Sequence, residues 1–377
     1  MGTWMQRVAQ DWMVLELGGS PLELSIVIGL QSVPSWLIGL WGGLLTDRFN
    51  VRTVLLSTQV AFAALSIALG SVAIAGGTTL WVLYAFAFAF GCANVFDKPA
   101  RQAFVLEMVE PQHAANAISL NSSINNVSRL VGPALAGVLI GFTSTGVAFL
   151  VNAATFGAII LALSRIKVSA LHRQERAPRG RGQIVEGLRH CWSNPILRPA
   201  LLATLIISTL AQNFRILLPL YVVNEFRGVV SDYGLLMSAL GLGALGGALV
   251  CAHISRPTQH MAMLQALWFG MALVTAALVP SYLALAGVMV GVGIGHTTFN
   301  TTSQTLLLLE ADPDKRGRVM AVRQLLADGL TPLGSLLMGW ISSVASPRAG
   351  MAVGGFAAFA GAYVLFRERT QVKSAEM

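Results

Sequence analysis

Runs of about 20 apolar residues recur along this chain, and each is separated from the next by a short break that carries charge, Gly or Pro. A helix of that length crosses the hydrocarbon core of a bilayer, which is about 30 Å thick. The chain is 55% hydrophobic and only 11% charged, whereas soluble domains contain about 25% charged residues. The sequence therefore predicts an all-α integral membrane protein and excludes one soluble core.

Twelve transmembrane helices fit this pattern. We predict them at residues 2–17, 22–46, 51–75, 79–103, 115–142, 146–166, 199–223, 231–254, 259–279, 282–309, 318–344 and 348–366. The first is short, because about 16 residues span only roughly 24 Å, and no charged residue precedes it. We therefore expect the natural chain to begin upstream, so that this first helix is truncated at its start.

The twelve helices divide into two related halves. A single gapless shift places Gly132 on Gly334, Gly137 on Gly339 and Gln102 on Gln304, with loop falling on loop and helix on helix. We predict a six-helix half at 1–167, a cytoplasmic basic linker at 168–197, and a second half with a short tail at 198–377. Within the linker, Ile184–Trp192 has apolar positions at helical spacing, which predicts an amphipathic helix on the inner membrane face.

The charged loops predict the orientation of the chain. Lys and Arg are concentrated in alternate loops, whereas the loops between them hold only Arg227 and Arg348. Positive residues stay on the cytoplasmic side of membrane proteins, so we expect both termini and the loop at Asp47 to be cytoplasmic. The basic linker could instead bind lipid or nucleic acid. We favour a solvated loop and expect no nucleic-acid partner.

The loop between the second and third helices has a distinctive spacing. It reads Gly43-x-Leu45-x-Asp47-Arg48-x-x-x-Arg52-x-x-Leu55 and resembles the signature loop of major facilitator transporters. That family usually has Gly where this chain has Asn50. Asn tolerates a left-handed backbone better than other non-Gly residues, so we expect the turn to be kept.

This resemblance implies the major facilitator fold, with a substrate site between the two halves near the bilayer midplane. It also implies a gating loop that closes the inner face. In this chain the residues of that gate would be Gly43, Asp47, Arg48 and Arg52, together with Arg316 and Arg318 at the start of helix eleven.

A second motif, Arg129-Leu-Val-Gly-Pro-Ala-Leu-Ala-Gly137, lies in helix five and includes Gly132 and Pro133. It resembles the Gly-Pro motif of antiporting exporters, although plain helix packing would explain the same residues. Together with Val95–Pro111 and Gly2–Trp12, it makes the chain similar to the drug and siderophore exporter branch, which includes enterobactin exporters and macrolide efflux proteins. The resemblance implies proton-driven extrusion of amphipathic small molecules.

Ionisable side chains inside a membrane span are costly and are therefore candidates for function. Arg7 and Asp11 are four residues apart on helix one and share a face. They could exchange a proton for a cationic or polar substrate, or form a static ion pair. Asp328, near the middle of helix eleven, is the second candidate for proton coupling. For Arg129 and Arg215 we expect packing against carbonyl groups or snorkelling.

Polar side chains at helical spacing predict faces that could touch substrate in a cavity. These candidates are Asn121 and Asn125 on helix five and His296, Asn300 and Gln304 on helix ten. The stretch Gly241–Gly246 matches a nucleotide-binding pattern, but it lies in an apolar helix with no preceding strand, which indicates helix packing. No phosphate-binding loop or metal-spaced His/Cys cluster is present in the sequence, so we expect no cofactor and energy from a proton gradient.

We therefore predict a monomeric exporter in the bacterial inner membrane that works by proton antiport and alternating access. One alternative is a proton-coupled importer of a metabolite. A second is a receptor or assembly protein that uses the same fold without transport. We do not expect an enzyme, because the sequence contains no catalytic constellation.

Overall fold

The computed structural model of this protein describes residues 1–48, 50–166, 183–254, 256–312 and 315–375. Some side chains within these ranges lie outside the description. They are those of residues 40–48, 111, 115, 119, 122, 123, 126, 183–187, 328 and 368–375.

The described chain consists of helices and short connections. The helices are α1 (Gly2–Glu16), α2 (Pro21–Arg48), α3 (Val51–Ile74), α4 (Leu80–Glu107), α5 (Ala114–Phe142), α6 (Thr145–Arg165), α7 (Gln183–Ser193), α8 (Leu197–Leu210), α9 (Phe214–Leu220), α10 (Val230–Ala252), α11 (Gln259–Leu278), α12 (Tyr282–Glu310), α13 (Arg316–Gly329), α14 (Thr331–Val344) and α15 (Pro347–Ala375). A 3₁₀ turn at Pro111–His113 and a π-helical turn at Tyr221–Glu225 complete the regular structure of these residues. The prediction of an all-α membrane protein is confirmed.

Nine helical stretches of the described chain are long and apolar enough to cross a membrane. The other three of the twelve predicted spans are α1, α5, and α13 with α14. In α5 only Val127–Phe142 forms an apolar stretch, because the first half of that helix is rich in Asn and Ser. These less apolar helices carry most of the candidate site residues.

Two of the predicted spans are interrupted. The seventh breaks between α8 and α9, where the Asn213 side-chain amide donates to the carbonyl oxygens of Thr209 and Leu210 at 2.8 and 3.3 Å. Those carbonyls lie at the end of a helix and need another donor. The eleventh breaks at Leu330, and Pro332 stands in the first turn of α14. Proline has no N–H to continue α13, so the predicted unbroken helix at 318–344 is wrong.

The chain forms two compact units. One contains residues 1–178 together with Val229–Leu235, and the other contains residues 179–228 and 236–377. The first turns of α10 therefore belong to the N-terminal unit, and its remainder belongs to the C-terminal unit. We call these the N-terminal unit and the C-terminal unit below.

The two units repeat the same close helix contacts. In the N-terminal unit, α3 and α6 meet where a Cβ on Gly70 would lie 3.0 Å from the Gly146 carbonyl oxygen. In the C-terminal unit, α11 and α15 meet where a Cβ on Gly270 would lie 3.0 Å from the Gly355 carbonyl oxygen. The third and sixth spans thus pack as the ninth and twelfth do, which supports the predicted six-helix duplication.

The shift that relates Gly132 to Gly334 also relates their surroundings. Gly132 brings α5 against α1, because a Cβ there would lie 2.7 Å from the Cβ of Trp4. Gly334 brings α14 against α8, where a Cβ would collide with the Thr209 carbonyl oxygen. The fifth span packs on the first as the eleventh packs on the seventh.

A helix, α7, covers the segment Ile184–Trp192, and its described residues pack against their own unit. Cys191 is fully buried in a cluster with Leu197 and Leu201 of α8, Leu307 of α12 and Val319 of α13. At the end of α12, Asp312 lies 3.7 Å from His190 of α7 and accepts a hydrogen bond of 2.8 Å from Lys315. The Lys315 hydrogen bond lowers the pKa of Asp312.

Asn50 has a different role from the one predicted. Its backbone is extended, with φ −62° and ψ 122°, so the expected left-handed turn is wrong. Asn50 is instead the N-cap of α3, and its Oδ1 accepts a hydrogen bond of 3.0 Å from the Arg52 backbone N–H. That bond satisfies one of the donors left without a partner at the start of a helix.

We expect Asn50→Ala to lower the free energy of unfolding by about 0.5–2 kcal/mol, because the cap is lost. Asn50→Asp, which keeps the side-chain acceptor, and Asn50→Gly, which costs only a few tenths of a kcal/mol at an N-cap, serve as controls. Thermal unfolding of the purified protein measures the three variants. If Asn50→Gly stabilised the protein, the turn would favour a left-handed residue and the capping role would be refuted.

Candidate functional site

Asp11 is the most completely enclosed carboxylate described in the N-terminal unit. It lies on α1 with no exposed surface, and its Oδ2 accepts a hydrogen bond of 3.3 Å from the Tyr233 hydroxyl. Trp12, the next residue on α1, stacks on the Tyr233 ring with centroids 6.5 Å apart. Asp11 is therefore attached to the first turns of α10, the part of that helix that belongs to the N-terminal unit.

Tyr233 was not among the residues predicted from sequence. It stands at the start of an apolar helix, and nothing in its local pattern indicates a partner more than two hundred residues earlier in the chain. A fully buried tyrosine hydroxyl nearly always has a hydrogen-bond partner. That rule indicates that Tyr233 has a hydrogen-bond partner, but it does not identify the partner as Asp11.

The neighbouring polar side chains fix α1 to three other helices. Gln10 Oε1 accepts a hydrogen bond of 2.9 Å from Gln31 Nε2 of α2. Gln6 Oε1 accepts one of 3.1 Å from the Ser66 hydroxyl of α3 and another from Asn152 Nδ2 of α6. These bonds hold the face of α1 that carries Asp11 in a defined position.

Arg7 and Arg129 share an aromatic neighbour. The guanidinium carbon of Arg7 lies 4.8 Å from the centroid of the Trp4 ring, and that of Arg129 of α5 lies 5.3 Å from it. Both distances suit cation–π attraction. Arg129 thus packs against an indole ring, whereas the sequence analysis predicted carbonyl groups or snorkelling. The pairing of Arg7 with Asp11 stays a prediction.

The Gly-Pro motif of α5 contacts α10 through backbone atoms. A Cβ on Gly137 would lie 3.0 Å from the Ser231 Cα, and a Cβ on Gly234 would lie 2.7 Å from the Pro133 carbonyl oxygen. The two backbones can approach this closely because neither glycine has a side chain. The motif therefore packs α5 against the same helix turns that carry Tyr233.

Asp97 forms a second buried carboxylate site. It lies in the second half of α4 and is buried between α4 and α3. Its oxygens accept hydrogen bonds from Thr58 Oγ1 at 3.1 Å, Gln59 Nε2 at 2.6 Å and Arg101 Nη2 at 3.0 Å. Four residues apart on one helix, Asp97 and Arg101 form a salt bridge held by neighbouring donors.

The structure describes only part of the predicted gate. The side chains of Gly43, Asp47 and Arg48 lie outside the described residues. Arg52 donates from Nε to the Leu163 carbonyl oxygen at 2.8 Å and from Nη2 to the Ser164 carbonyl oxygen at 2.9 Å. Arg52 therefore caps the C-terminal end of α6, because it donates hydrogen bonds to carbonyl groups in the last turn of that helix. Arg316 is exposed and Arg318 half-buried in the first turn of α13.

In the C-terminal unit, His296 and Asn300 lie one turn apart on α12. The His296 ring is 5.8 Å from that of Phe214 and 6.0 Å from that of Phe269. The Asn300 amide donates to the His296 carbonyl oxygen at 3.1 Å. These candidate cavity residues are therefore enclosed by aromatic rings on one side.

Arg323 of α13 is a buried cation that the sequence interpretation did not single out. Its Nη2 donates to the Asn300 carbonyl oxygen at 3.4 Å, and the side chain is only 7% exposed. The available signal was a cation inside a predicted span. The side chain of Asp328, on the same helix, lies outside the described residues.

The remaining polar candidates are less enclosed. The Asn125 amide donates to the Asn121 carbonyl oxygen at 2.9 Å, so the two share a face of α5. Asn125 and Gln304 are exposed and Asn121 is half-buried. Among the residues that the structure describes, no group of three His, Cys, Asp or Glu side chains could hold a metal ion.

Nine membrane-length helical stretches among the described residues, together with the helix contacts that the two units repeat, are the architecture of a membrane transporter of the major facilitator fold. A family model described as transmembrane secretion effector matches residues 1–377. The chain belongs to this major facilitator family.

Named relatives agree with this assignment. The chain is 24% identical to the staphyloferrin A transporter of Staphylococcus aureus, with 90% of this chain and 85% of that protein covered. It is 27% identical to the multidrug efflux pump Tap of Mycolicibacterium fortuitum, with 92% and 87% covered. The predicted resemblance to drug and siderophore exporters is confirmed.

A solved structure shows the same fold. It is a bacterial homologue of the human lysosomal transporter Spinster, described as inward-facing and occupied, with a TM-score of 0.77 and 14% identity. The likeness covers 98% of this chain and 94% of that one. This likeness shows the fold. The family match and the transporter relatives show that the protein is a multi-pass membrane transporter and not an enzyme.

We expect Gly234→Ala to destabilise the protein by about 1–3 kcal/mol, because the added methyl group meets a backbone carbonyl that cannot rotate away. Gly141→Ala is the matched control, since a Cβ at that position meets nothing within 4 Å. Thermal unfolding and efflux of both variants are compared with the unsubstituted protein. Equal stability of the two variants would show that α5 and α10 do not depend on this contact.

Proposed function

We propose that this protein exports amphipathic small molecules from the bacterial cytoplasm by proton antiport, with Asp11 as the group that carries the proton. The observation that supports the proposal most directly is the hydrogen bond between the buried Asp11 carboxylate and the Tyr233 hydroxyl. The multidrug efflux pump and the staphyloferrin A transporter among its relatives support a role in moving small organic molecules.

The proposed coupling acts through the attachment of α10. An ionised carboxylate accepts a stronger hydrogen bond than a neutral carboxyl group, because charge-assisted bonds are roughly twice as strong as neutral ones. Protonation of Asp11 therefore weakens the bond to Tyr233 and loosens the first turns of α10. A difference of about 1.4 kcal/mol changes a conformational equilibrium tenfold, so a single bond of this kind can bias alternating access.

Asp11 suits proton transfer better than Asp97 does. Three side chains donate to the Asp97 oxygens, and one of them is the Arg101 guanidinium, which is the arrangement of a structural ion pair. Asp11 is bonded to the Tyr233 hydroxyl in the first turns of α10, and the remainder of that helix belongs to the C-terminal unit. A change of charge at Asp11 therefore acts on a connection between helices.

The remaining parts of the proposal follow from the charge distribution. Basic residues are concentrated in alternate loops, so we propose that both termini lie in the cytoplasm. We propose the bacterial inner membrane as the location. Asp47 would close the inner face with Arg316 and Arg318, and Asp328 is the second proposed site of protonation. We propose a monomer as the transporting unit.

We expect Asp11→Asn to reduce efflux driven by a pH gradient at least tenfold while leaving substrate exchange without a gradient largely intact. The neutral amide cannot change charge, so coupling is lost while the path for substrate remains. Tyr233→Phe, which removes only the hydroxyl, should reduce gradient-driven efflux severalfold. Proteoliposomes with an imposed pH gradient measure both variants.

The matched control is Asp312→Asn, which removes an acid from an exposed loop position and should leave efflux unchanged. Unaltered gradient-driven efflux in Asp11→Asn would refute the assignment of the proton to Asp11. Loss of exchange and gradient-driven flux together would show that Asp11 binds substrate or maintains the fold.

The direction of transport is tested separately. We expect cells that lack their own efflux pumps to accumulate less of a transported dye when they produce this protein. Everted membrane vesicles should take the same dye up when their interior is acidified. Uptake into right-side-out vesicles under an inward proton gradient would identify an importer. Absence of flux for a broad dye and metabolite panel would favour a receptor or assembly role.

A further inference from the structure

We propose that Arg129, Arg7 and Trp4 form an anion-binding subsite in the N-terminal unit, so that the molecules this protein transports carry a carboxylate, sulfonate or phosphate group on a flat or apolar body. This inference rests on the proposed transport of small molecules. It adds the chemical class of the substrate, which neither the fold nor the family defines.

The geometry brings two cations to one indole. The guanidinium carbons of Arg7 and Arg129 lie 4.8 and 5.3 Å from the centroid of the Trp4 ring. They can therefore be no more than about 10 Å apart, so Arg7 adds a second positive charge near Arg129. Arg7 and Trp4 belong to α1 and Arg129 belongs to α5, so the cluster joins two helices of one unit.

The indole is held in place by the packing of those helices. Gly132 lies one turn beyond Arg129 on α5, and a Cβ there would be 2.7 Å from the Trp4 Cβ. The helices approach so closely because Gly132 has no side chain. Trp4 thus presents its ring to Arg129 from a fixed position, which is the preorganisation that a binding site requires.

The positive charge of Arg129 is not balanced by a described side chain. Arg101, by contrast, is paired with Asp97. Among the side chains that the structure describes, no carboxylate lies within ion-pair distance of Arg129. An embedded cation without a counter-charge is costly, and an anionic ligand would supply that charge.

The residue types define the ligand more closely. A guanidinium group binds carboxylate and phosphate groups through two parallel hydrogen bonds, which a lysine cannot do. The edge of the indole adds an apolar surface next to the two guanidinium groups. The subsite therefore fits an anion attached to an apolar body better than a free inorganic anion.

The test compares 2-naphthoate with 2-naphthamide, which have the same ring system and differ in charge. Binding of each is measured by calorimetry with the full chain in nanodiscs of phosphatidylcholine. We expect the unsubstituted protein to bind naphthoate at least about tenfold more tightly than naphthamide, as hydrogen bonds between charged groups imply. Arg129→Gln should remove that preference and leave naphthamide binding unchanged.

Arg198→Gln is the matched control, because the Arg198 guanidinium also lies over an indole, that of Trp192, at 5.4 Å. It makes the same change of charge at another Arg–Trp pair and should keep the preference for naphthoate. If Arg129→Gln is not monodisperse, Arg129→Lys replaces it. That variant keeps the charge but loses the paired hydrogen bonds, so its naphthoate affinity should fall severalfold.

Two results would overturn the proposal: no preference for naphthoate in the unsubstituted protein, or an undiminished preference in Arg129→Gln. The measurement is repeated with phosphatidylglycerol in the nanodiscs. Unchanged naphthoate affinity supports a solute ligand, whereas its loss would assign the subsite to lipid headgroups and refute the solute assignment. Because binding needs no gradient, these outcomes are independent of the direction and coupling of transport.

Discussion

The hydrogen bonds that α1 makes through its buried side chains determine the arrangement of the N-terminal unit. Lipid offers no partner to a polar group, so each one inside a span must find its partner in the protein. The side-chain oxygens of Gln6, Gln10 and Asp11 accept hydrogen bonds from α2, α3, α6 and the start of α10. The short helix α1 is therefore positioned by specific hydrogen bonds as well as by apolar contacts.

Close packing of backbones complements these polar contacts. Without a hydrophobic effect between helices in lipid, association depends on van der Waals contact and on hydrogen bonds. Because Gly132 has no side chain, α5 can pack closely against Trp4. Gly137 allows the same close contact with the first turns of α10. The Gly-Pro motif thus positions the two aromatic residues, Trp4 and Tyr233, that lie beside the ionisable side chains of α1.

Much of this fold could be predicted from the sequence, because apolar runs of membrane length and the placement of basic residues are direct consequences of the bilayer. The repeat was also visible, since Gly132 and Gly334 mark equivalent contacts. The capping role of Asn50 was missed because a family pattern with Gly suggested backbone freedom. The partner of Asp11 was missed because no spacing rule links positions 11 and 233.

The identities of the charged site residues could be predicted from the sequence, but their contacts could not. Charged residues inside apolar runs stand out, so Arg7, Asp11 and Arg129 could be selected from the sequence alone. Their surroundings depend on distant segments, and a sequence gives no distance between α1 and α5. Arg323 has the same kind of signal, and its contact with Asn300 emerged only with the helices in place.

The two interrupted spans of the C-terminal unit have a mechanical consequence. The seventh span is broken after Ala211 and the eleventh at Leu330, and the two helices touch where Gly334 of α14 faces Thr209 of α8. Both joints therefore lie at nearly the same level, within about one helical turn of a single contact. Helical segments on either side of such joints can tilt without breaking a helical hydrogen bond. The equivalent first and fifth spans, α1 and α5, are continuous, so the duplicated halves differ in stiffness although they share an architecture.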